Sequence, residues 1–342
     1  MIHSRPLRLV VTIPAQNEAA TIRHVVGTVP RDLAGIDAVD VVVIDDASTD
    51  DTAAEARAAG AVVVPMVGRP GLGPVWRLGM ERAIRMGADV IVNLDGDGQF
   101  DSRDVVRIIE PILANRFDFV TCTRFAGGGP DGHMPLVKRL GNRLVTAVTN
   151  KICGTSFTDV SCGFRAYNRE AAYRLAQFGR WTYTEECIVY LTSRGLRLME
   201  MPLRVRGERE FGTSRVAGNI FRFGSHLAHI LLRALRDGRP LRFFGSIAAA
   251  TLLPGVLLLG FVAAWWLGRG TTTPFSQLLT VGGGIVTIGV FLAALALLAD
   301  MVSRHRLIHE ELLYLARRRH YATGPTTDLP GDEAMLADLL AE

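Results

Sequence analysis

Cysteine is scarce in this chain: Cys122, Cys153, Cys162 and Cys187 are spread over 342 residues. None forms a C-x-x-C pair or a zinc-type spacing. That excludes a disulfide framework and a structural zinc module, and it points to reduced thiols facing the cytosol. Lysine is nearly missing: Lys138 and Lys151 are two among 38 basic residues. The net charge of +4 says little about partners by itself, and no nucleic-acid partner is expected. Met1–Arg8 runs straight into a strand-like segment, without an apolar core and cleavage site, so no secretory signal is expected. No repeat of solenoid period is visible.

Apolar residues, by contrast, make up 49% of the chain. Phe243–Leu267 and Gln277–Ala299 contain no charged residue, and Asp300 marks the edge of the second. At ~1.5 Å per helical residue, each is long enough to cross a hydrocarbon core of about 30 Å. The short connection Gly268–Ser276 predicts a helical hairpin. Arg233, Arg236, Arg239 and Arg242 precede the pair and Arg304, Arg306 and Arg317–Arg319 follow it, whereas the connection holds only Arg269. The positive-inside rule then puts both termini and the preceding domain in the cytoplasm, at the cell (inner) membrane. Residues 217–240 put apolar positions near helical spacing with arginines among them and are expected to lie as an interfacial helix.

Upstream of that region, residues 7–121 alternate strand-like runs with helical patterns. The runs are Leu7–Ile13, Val39–Ile44, Ala61–Val67, Val90–Leu94 and Phe117–Thr121. The helices between them are Ala19–Val29, Asp51–Ala59, Val75–Met86 and Ser102–Ala114. This alternation predicts an α/β domain with a mostly parallel sheet and helices on both faces. Ligands of such sheets bind beyond the carboxyl ends of the strands. The polar clusters fall there: "IPAQNEAATI", "VVVIDDASTDDT" and "VIVNLDGDGQFD".

The third cluster crowds Asp95, Asp97 and Asp101 into seven positions, where like charges repel unless a cation lies between them. Gly96 and Gly98 let the backbone turn and a ligand approach. Hard oxygen donors suit Mg2+ or Mn2+ bridged to substrate phosphates, with Gln99 as a further oxygen ligand. The bland alternative is a solvated Asp/Gly turn. In the second cluster Asp45 and Asp46 end a strand and can accept from a nucleobase or ribose, while Ser48–Asp51 can cap a helix. Pro14 and Glu18 of the first cluster could reach the same nucleotide.

These three motifs, in this order on this alternation, resemble the family 2 glycosyltransferases of GT-A (Rossmann-like) fold. Those enzymes show P-x-x-N-E, D-D-x-S-x-D and D-x-D. The match here is Pro14–Glu18, Asp45–Asp50 and Asp95-Gly96-Asp97. "LDGDGQ" is most similar to the polyprenyl- and dolichyl-phosphate hexose (mannose or glucose) synthases. Ser161-Cys162-Gly163-Phe164-Arg165 and Arg209–Arg215 stand where that branch carries "SGFR" and "RxxGxSK". Two departures are visible: Cys162 is inserted between Ser161 and Gly163, and Arg215 replaces a lysine.

The resemblance implies transfer of one hexose from a nucleotide-diphosphate sugar, GDP-mannose or UDP-hexose, to polyprenyl phosphate on the cytosolic leaflet, with inversion. It implies a catalytic role for Asp97, for Asp159 as a base or acceptor-orienting group, and for Glu185 or Glu186 near the sugar. A lipid phosphate is already anionic and needs cations more than a base. Arg124, Arg139, Arg143, Arg165, Arg209 and Arg215 are the candidates. Two alternatives remain open: a processive, polymer-extending synthase and a non-catalytic nucleotide-binding membrane scaffold. Gln177-Phe178-Gly179-Arg180-Trp181 matches a signature of processive synthases but precedes Glu185, against the usual order, and is read as coincidence. The expected organisation is a catalytic domain over 1–216 and an interfacial helix over 217–240. Two transmembrane helices follow within 241–302, at about 243–267 and 277–301. A basic cytoplasmic helix over 303–320 and a flexible tail over 321–342 complete it. Lipid membrane is an expected partner, and a homo-oligomer is left open.

Overall fold

The computed structural model describes residues 6–66, 71–125, 136–175, 184–203, 205 and 240–321. Two compact units emerge, one from residues 1–220 with 313–342 and one from residues 221–312.

The first unit is built on seven strands: β1 (Arg8–Ala15), β2 (Ala38–Asp45), β3 (Val62–Pro65), β4 (Val90–Asn93), β5 (Phe119–Thr123), β6 (Arg165–Asn168) and β7 (Leu198–Pro202). They lie in the order β3-β2-β1-β4-β6-β5-β7. Pairing is parallel throughout except for β6, which runs antiparallel to both β4 and β5. The mostly parallel sheet read from the sequence is therefore present. The antiparallel strand is an addition, because β6 has four residues and Arg165 and Asn168 break its apolar pattern.

The crossover helices follow the strands: α1 (Ala19–Gly27), α2 (Thr52–Ala58), α3 (Leu72–Arg85), α4 (Val105–Leu113) and α5 (Leu136–Cys153), then α6 (Arg169–Arg174) and α7 (Thr184–Ser193). Val-rich β1, β2 and β4 are buried because helices cover the sheet on both sides. Leu9, Val11 and Ile13 of β1 join one core cluster with Ile22, Val25 and Val26 of α1 and Ile108 and Ile109 of α4. The alternate residues of β1 face the other way, where a side chain added at Gly79 of α3 would come within 3.3 Å of Thr12 Cβ. This close approach holds α3 on the sheet beneath the carboxyl ends of β1 and β2.

The second unit contains α8 (Pro240–Arg269) and most of α9 (Ser276–Tyr321). Both helices are long and apolar enough to cross a membrane. Small residues let their backbones approach: a Cβ at Gly255 would lie 2.9 Å from Ile285 Cγ2, and one at Gly289 would lie 2.5 Å from Leu252 Cγ. Leu253, Leu257, Phe291 and Leu297 point outward and exposed, as hydrocarbon-facing side chains do. At the turn, Phe261, Trp265 and Phe275 pack edge to face and Arg269 lies 3.9 Å over Trp265.

The sequence predicts separate helices over 277–301 and 303–320. The structure joins them, because no Gly or Pro interrupts residues 290–321 and Asp300–Arg304 and Arg306–Glu310 form i,i+4 ion pairs across the junction. The last turns belong to the first unit. There Tyr314 Oη donates to Glu170 at 3.0 Å, Tyr321 Oη to Glu81 at 2.7 Å, and Arg317 to the Leu175 carbonyl at 2.7 Å. The interfacial helix expected over 217–240 and the tail beyond 321 lie outside the described residues, apart from Pro240 and Tyr321.

Candidate active site

The first two acidic clusters are sewn together at the carboxyl ends of β1 and β2. Register places Ala15 opposite Asp45, and Asp46 N donates to the Ala15 carbonyl at 2.8 Å. Asn17 N donates to Ser48 Oγ at 3.0 Å, Thr49 N to Asn17 Oδ1 at 2.8 Å, and Glu18 N to Thr52 Oγ1 at 2.8 Å. Asn17 and Ala47 both adopt left-handed backbone, at φ 54° and 55°. For non-glycine residues this is strained, and it is sustained here by the crossed hydrogen bonds. Burial works against ionisation of Asp50, but hydrogen bonds from Thr52 and Ala19 prevail and hold its carboxyl below the usual range. The outcome is a rigid acidic rim: Pro14, Glu18 and Asp45 are half-buried, while Asp46 is buried and accepts from Gly71 N at 3.3 Å. From the sequence, Ser48 and Asp50 read only as helix caps, and Asn17 and Thr52 have no role of their own. Their signal was present as polar residues inside the motifs, and their function is to position the loops.

The third cluster follows β4. Asp97 is 3% exposed and accepts from Gln99 N at 3.1 Å. Gly98 has φ 72°, which turns the chain under α1, and the Gly96 carbonyl accepts from Thr21 Oγ1 at 2.7 Å. Asp95 lies against Gly163, so closely that a Cβ there would meet its Oδ2 at 2.5 Å. Gln99 lines a cavity of about 160 Å³ with His24, Phe100 and Arg103. Among the described residues no three His, Cys, Asp or Glu side chains cluster as a complete metal cage. Asp95 and Asp97 offer carboxylate oxygens, donors of the kind that suits a hard cation such as Mg2+ or Mn2+.

The segment 159–165 connects this edge to a second charged cluster. Asp159 is fully buried and accepts from Arg124 Nε at 2.6 Å and Nη2 at 3.0 Å, and from Asn142 Nδ2 at 3.1 Å. Arg124 Nη2 also donates to Ser161 Oγ at 2.7 Å, and that hydroxyl donates to Asn142 Oδ1 at 2.7 Å. Glu200 of β7 accepts from the Asp159 and Thr158 N–H groups at 2.7 and 2.8 Å. Burial opposes the charge on Asp159, but the Arg124 guanidinium outweighs it and holds the carboxyl below its ordinary range. Arg124 is pushed upward by the same partner, against its own burial. Ser161 stood inside the Ser161–Arg165 motif without a role of its own, and Asn142 and Glu200 were not legible as site residues, because they come from α5 and β7 with no shared motif.

Cys162 is absorbed into the core of this segment: its Sγ lies 2.9 Å from Cys122 Sγ of β5. Both thiols are free, and burial pushes that of Cys122 well up. Gly163 follows at once, its carbonyl held by Asn93 Nδ2 at 2.9 Å. One short stretch thus touches Arg124 through Ser161 and Asp95 through Gly163.

The expectation that Arg165 binds an acceptor phosphate is corrected by its burial. It is 0% exposed and donates to the Cys162, Thr184 and Val160 carbonyls at 2.7, 2.7 and 2.8 Å. Its side chain ties the segment to the start of α7. Arg165→Met is expected to lower stability by about 3 kcal/mol, because three buried carbonyls lose their donor. Thermal unfolding checks this, and an unchanged midpoint would contradict it.

Glu185 is buried at the start of α7 and accepts from Thr184 Oγ1 at 2.7 Å; Glu186 beside it is half-buried. Arg139 and Arg143 are exposed on α5. Arg209, Arg215 and the Gln177–Trp181 stretch lie outside the described residues.

A mostly parallel sheet with acidic loops at the carboxyl ends of β1, β2 and β4 is the GT-A arrangement, and the class it defines is that of nucleotide-sugar-dependent glycosyltransferases. The chain belongs to glycosyl transferase family 2, whose family model matches residues 10–176. It is 30% identical over 306 residues to the glycosyltransferase AglJ of Haloferax volcanii, covering 88% of this chain and 96% of that one. It is 29% identical over 223 residues to the undecaprenyl-phosphate mannosyltransferase of Micrococcus luteus, covering 63% of this chain and 89% of the relative. Among solved structures, the glucosyl-3-phosphoglycerate synthase of Mycobacterium tuberculosis in complex with Mn2+, UDP and glucosyl-3-phosphoglycerate has a TM-score of 0.51. That likeness, at 23% identity over 67% of this chain and 79% of that one, is one of fold. The protein is a glycosyltransferase related to polyprenyl-phosphate sugar transferases.

Proposed function

We propose that the protein transfers one hexose from a nucleotide-diphosphate sugar to polyprenyl phosphate at the cytosolic leaflet, with inversion. The observation that carries this reading is the segment 159–165, which sets the Arg124 fork and the Asp95 carboxylate two residues apart along one short stretch. An acidic edge suits a cation-bound leaving diphosphate. An arginine locked beside it suits an anionic acceptor.

Pro14, Glu18, Asp45 and Asp46 are assigned to the nucleotide, and Asp95 and Asp97 to the divalent cation, with Gln99 as an oxygen donor. That cation, Mg2+ or Mn2+, neutralises the departing diphosphate when bound. Arg124, Arg139 and Arg143 hold the acceptor phosphate, with Arg209 and Arg215 as further candidates. An acceptor phosphate oxygen attacks the anomeric carbon, and the bond from that carbon to the donor diphosphate breaks. Because the acceptor oxygen is already anionic, no proton must be removed. Asp159, saturated with donors and held below its usual range, is a poor base and serves to aim Arg124. Glu185 and Glu186 are assigned to the sugar side of the site.

Incubation with labelled nucleotide sugars, polyprenyl phosphate and Mg2+ or Mn2+ tests the reading: label must enter the organic phase only with metal and acceptor present. A finer test is Gly163→Ala. The added methyl displaces the Asp95 carboxylate, and the metal concentration for half-maximal transfer is expected to rise about tenfold. An unchanged metal requirement would remove Asp95 from the cation site.

A further inference from the structure

Past the apolar part of α9, His305 and His309 stand one turn apart, both exposed. At about 100° per residue they share one narrow face of the helix, with Cβ atoms about 5–6 Å apart. Each ring makes the same hydrogen bond. His305 Nδ1 lies 3.1 Å from the Met301 carbonyl oxygen, and His309 Nδ1 lies 2.9 Å from the His305 carbonyl oxygen. A carbonyl only accepts, so each Nδ1 carries a proton, and in the neutral ring the lone pair falls on Nε2. Metal-ligating histidines are ordinarily fixed in this way, the other ring nitrogen donating to a carbonyl or carboxylate. The exposed Met301 puts a thioether on the same face, one turn before His305. The neighbouring arginines are each balanced by a carboxylate. Arg304 pairs with Asp300 at 2.9 Å and Arg306 with Glu310 at 2.8 Å. A cation beside them therefore meets little net repulsion. None of these residues has a role in the transfer proposed above.

We infer that His305 and His309 together bind one divalent transition-metal ion of the Zn2+ class through their Nε2 atoms. The donors select this class. Imidazole suits Zn2+, Ni2+ and Cu2+, and a thioether favours softer ions still, whereas Mg2+ takes oxygen ligands. The site therefore differs in chemistry from the carboxylates that follow β4. At Zn–N bonds of about 2.0–2.1 Å, one ion reaches both Nε2 atoms when the rings lean toward each other. Exposed side chains one turn apart are able to do this. Two protein ligands leave the site open, and water completes the shell. The bound ion clips one turn of α9 and stabilises the helix where its composition passes from apolar to basic.

The test uses the full chain in detergent, stripped with a chelator and held in excess Mg2+ so that oxygen sites are filled. Zn2+ is titrated against a fluorescent zinc indicator. Bound equivalents are compared between the parent, His305→Asn, His309→Asn and the double variant. Each single variant is expected to lose one equivalent, and the double variant to lose no more, because both rings hold the same ion. Both positions are exposed, so melts without zinc are expected to coincide, and zinc should raise the midpoint of the parent alone. Equal zinc binding in the parent and the single variants would overturn the inference. So would losses that add in the double variant, which mark two independent rings. A second measurement needs no variant. In the parent, Zn2+ is expected to protect His305 and His309 together from diethylpyrocarbonate, read by peptide mass. Modification of both at an unchanged rate would equally overturn the site.

Discussion

Asp97→Asn is expected to lower transfer about 10³-fold while the protein stays folded. Asp97 is nearly fully buried at the end of β4, and its Oδ1 accepts from Gln99 N. An amide oxygen of the same size can keep that bond, so the loop geometry survives. What disappears is the negative charge that would hold a cation against the leaving diphosphate. Turnover of labelled donor, measured beside a thermal melt, separates loss of chemistry from loss of fold. A folded Asp97→Asn protein with full activity would remove the cation role from this position.

Asp159→Asn is expected to act on both stability and acceptor use. Its carboxylate is fully buried and faces the Arg124 guanidinium, and removing one member of such a pair strands the other charge, at about 3–5 kcal/mol. A double-mutant cycle with Arg124→Gln should show the two losses to be strongly less than additive. Because the Asp159 carboxyl is held below its ordinary range in the fold, its contribution is present above the ordinary carboxylate range, about pH 4, and lost as pH falls through the depressed value. The variant should therefore be destabilised at neutral pH and lose less further stability on acidification than the parent. In kinetics, a residue that aims Arg124 should raise KM for the lipid phosphate about tenfold. A fall in kcat with KM unchanged would indicate a base and contradict the positioning role.

The parallel half of the domain was legible because its strands are continuous apolar runs and its helices are amphipathic. Strands β1, β2 and β4 appear within about two residues of their expected bounds. The second half was not, since β6 and β7 are four and five residues long and carry polar or half-buried positions. Arg165 illustrates the limit for single residues. Its place in a recognisable motif suggested a phosphate ligand, but its guanidinium turns back onto the nearby Val160 and Cys162 carbonyls and reaches the Thr184 carbonyl at the start of α7, a fold-back that the motif does not reveal. Asp159 illustrates the reverse: its position was found from sequence, while its saturation by Arg124, Asn142 and Ser161 depends on a strand, a helix and a loop meeting. The continuity of α9 was missed because the change from apolar to basic composition resembles a boundary, although helix propensity does not break there.

The most direct measurement is the mass of the lipid product. The purified full chain in detergent is incubated with polyprenyl phosphate, Mn2+ or Mg2+, and a panel of nucleotide sugars, and the organic extract is examined by mass spectrometry. The expected product is an acceptor heavier by one hexose residue, absent without metal and cleaved by mild acid. Products carrying many sugars, or an unmodified lipid with every donor while nucleotide sugar still binds, would contradict it.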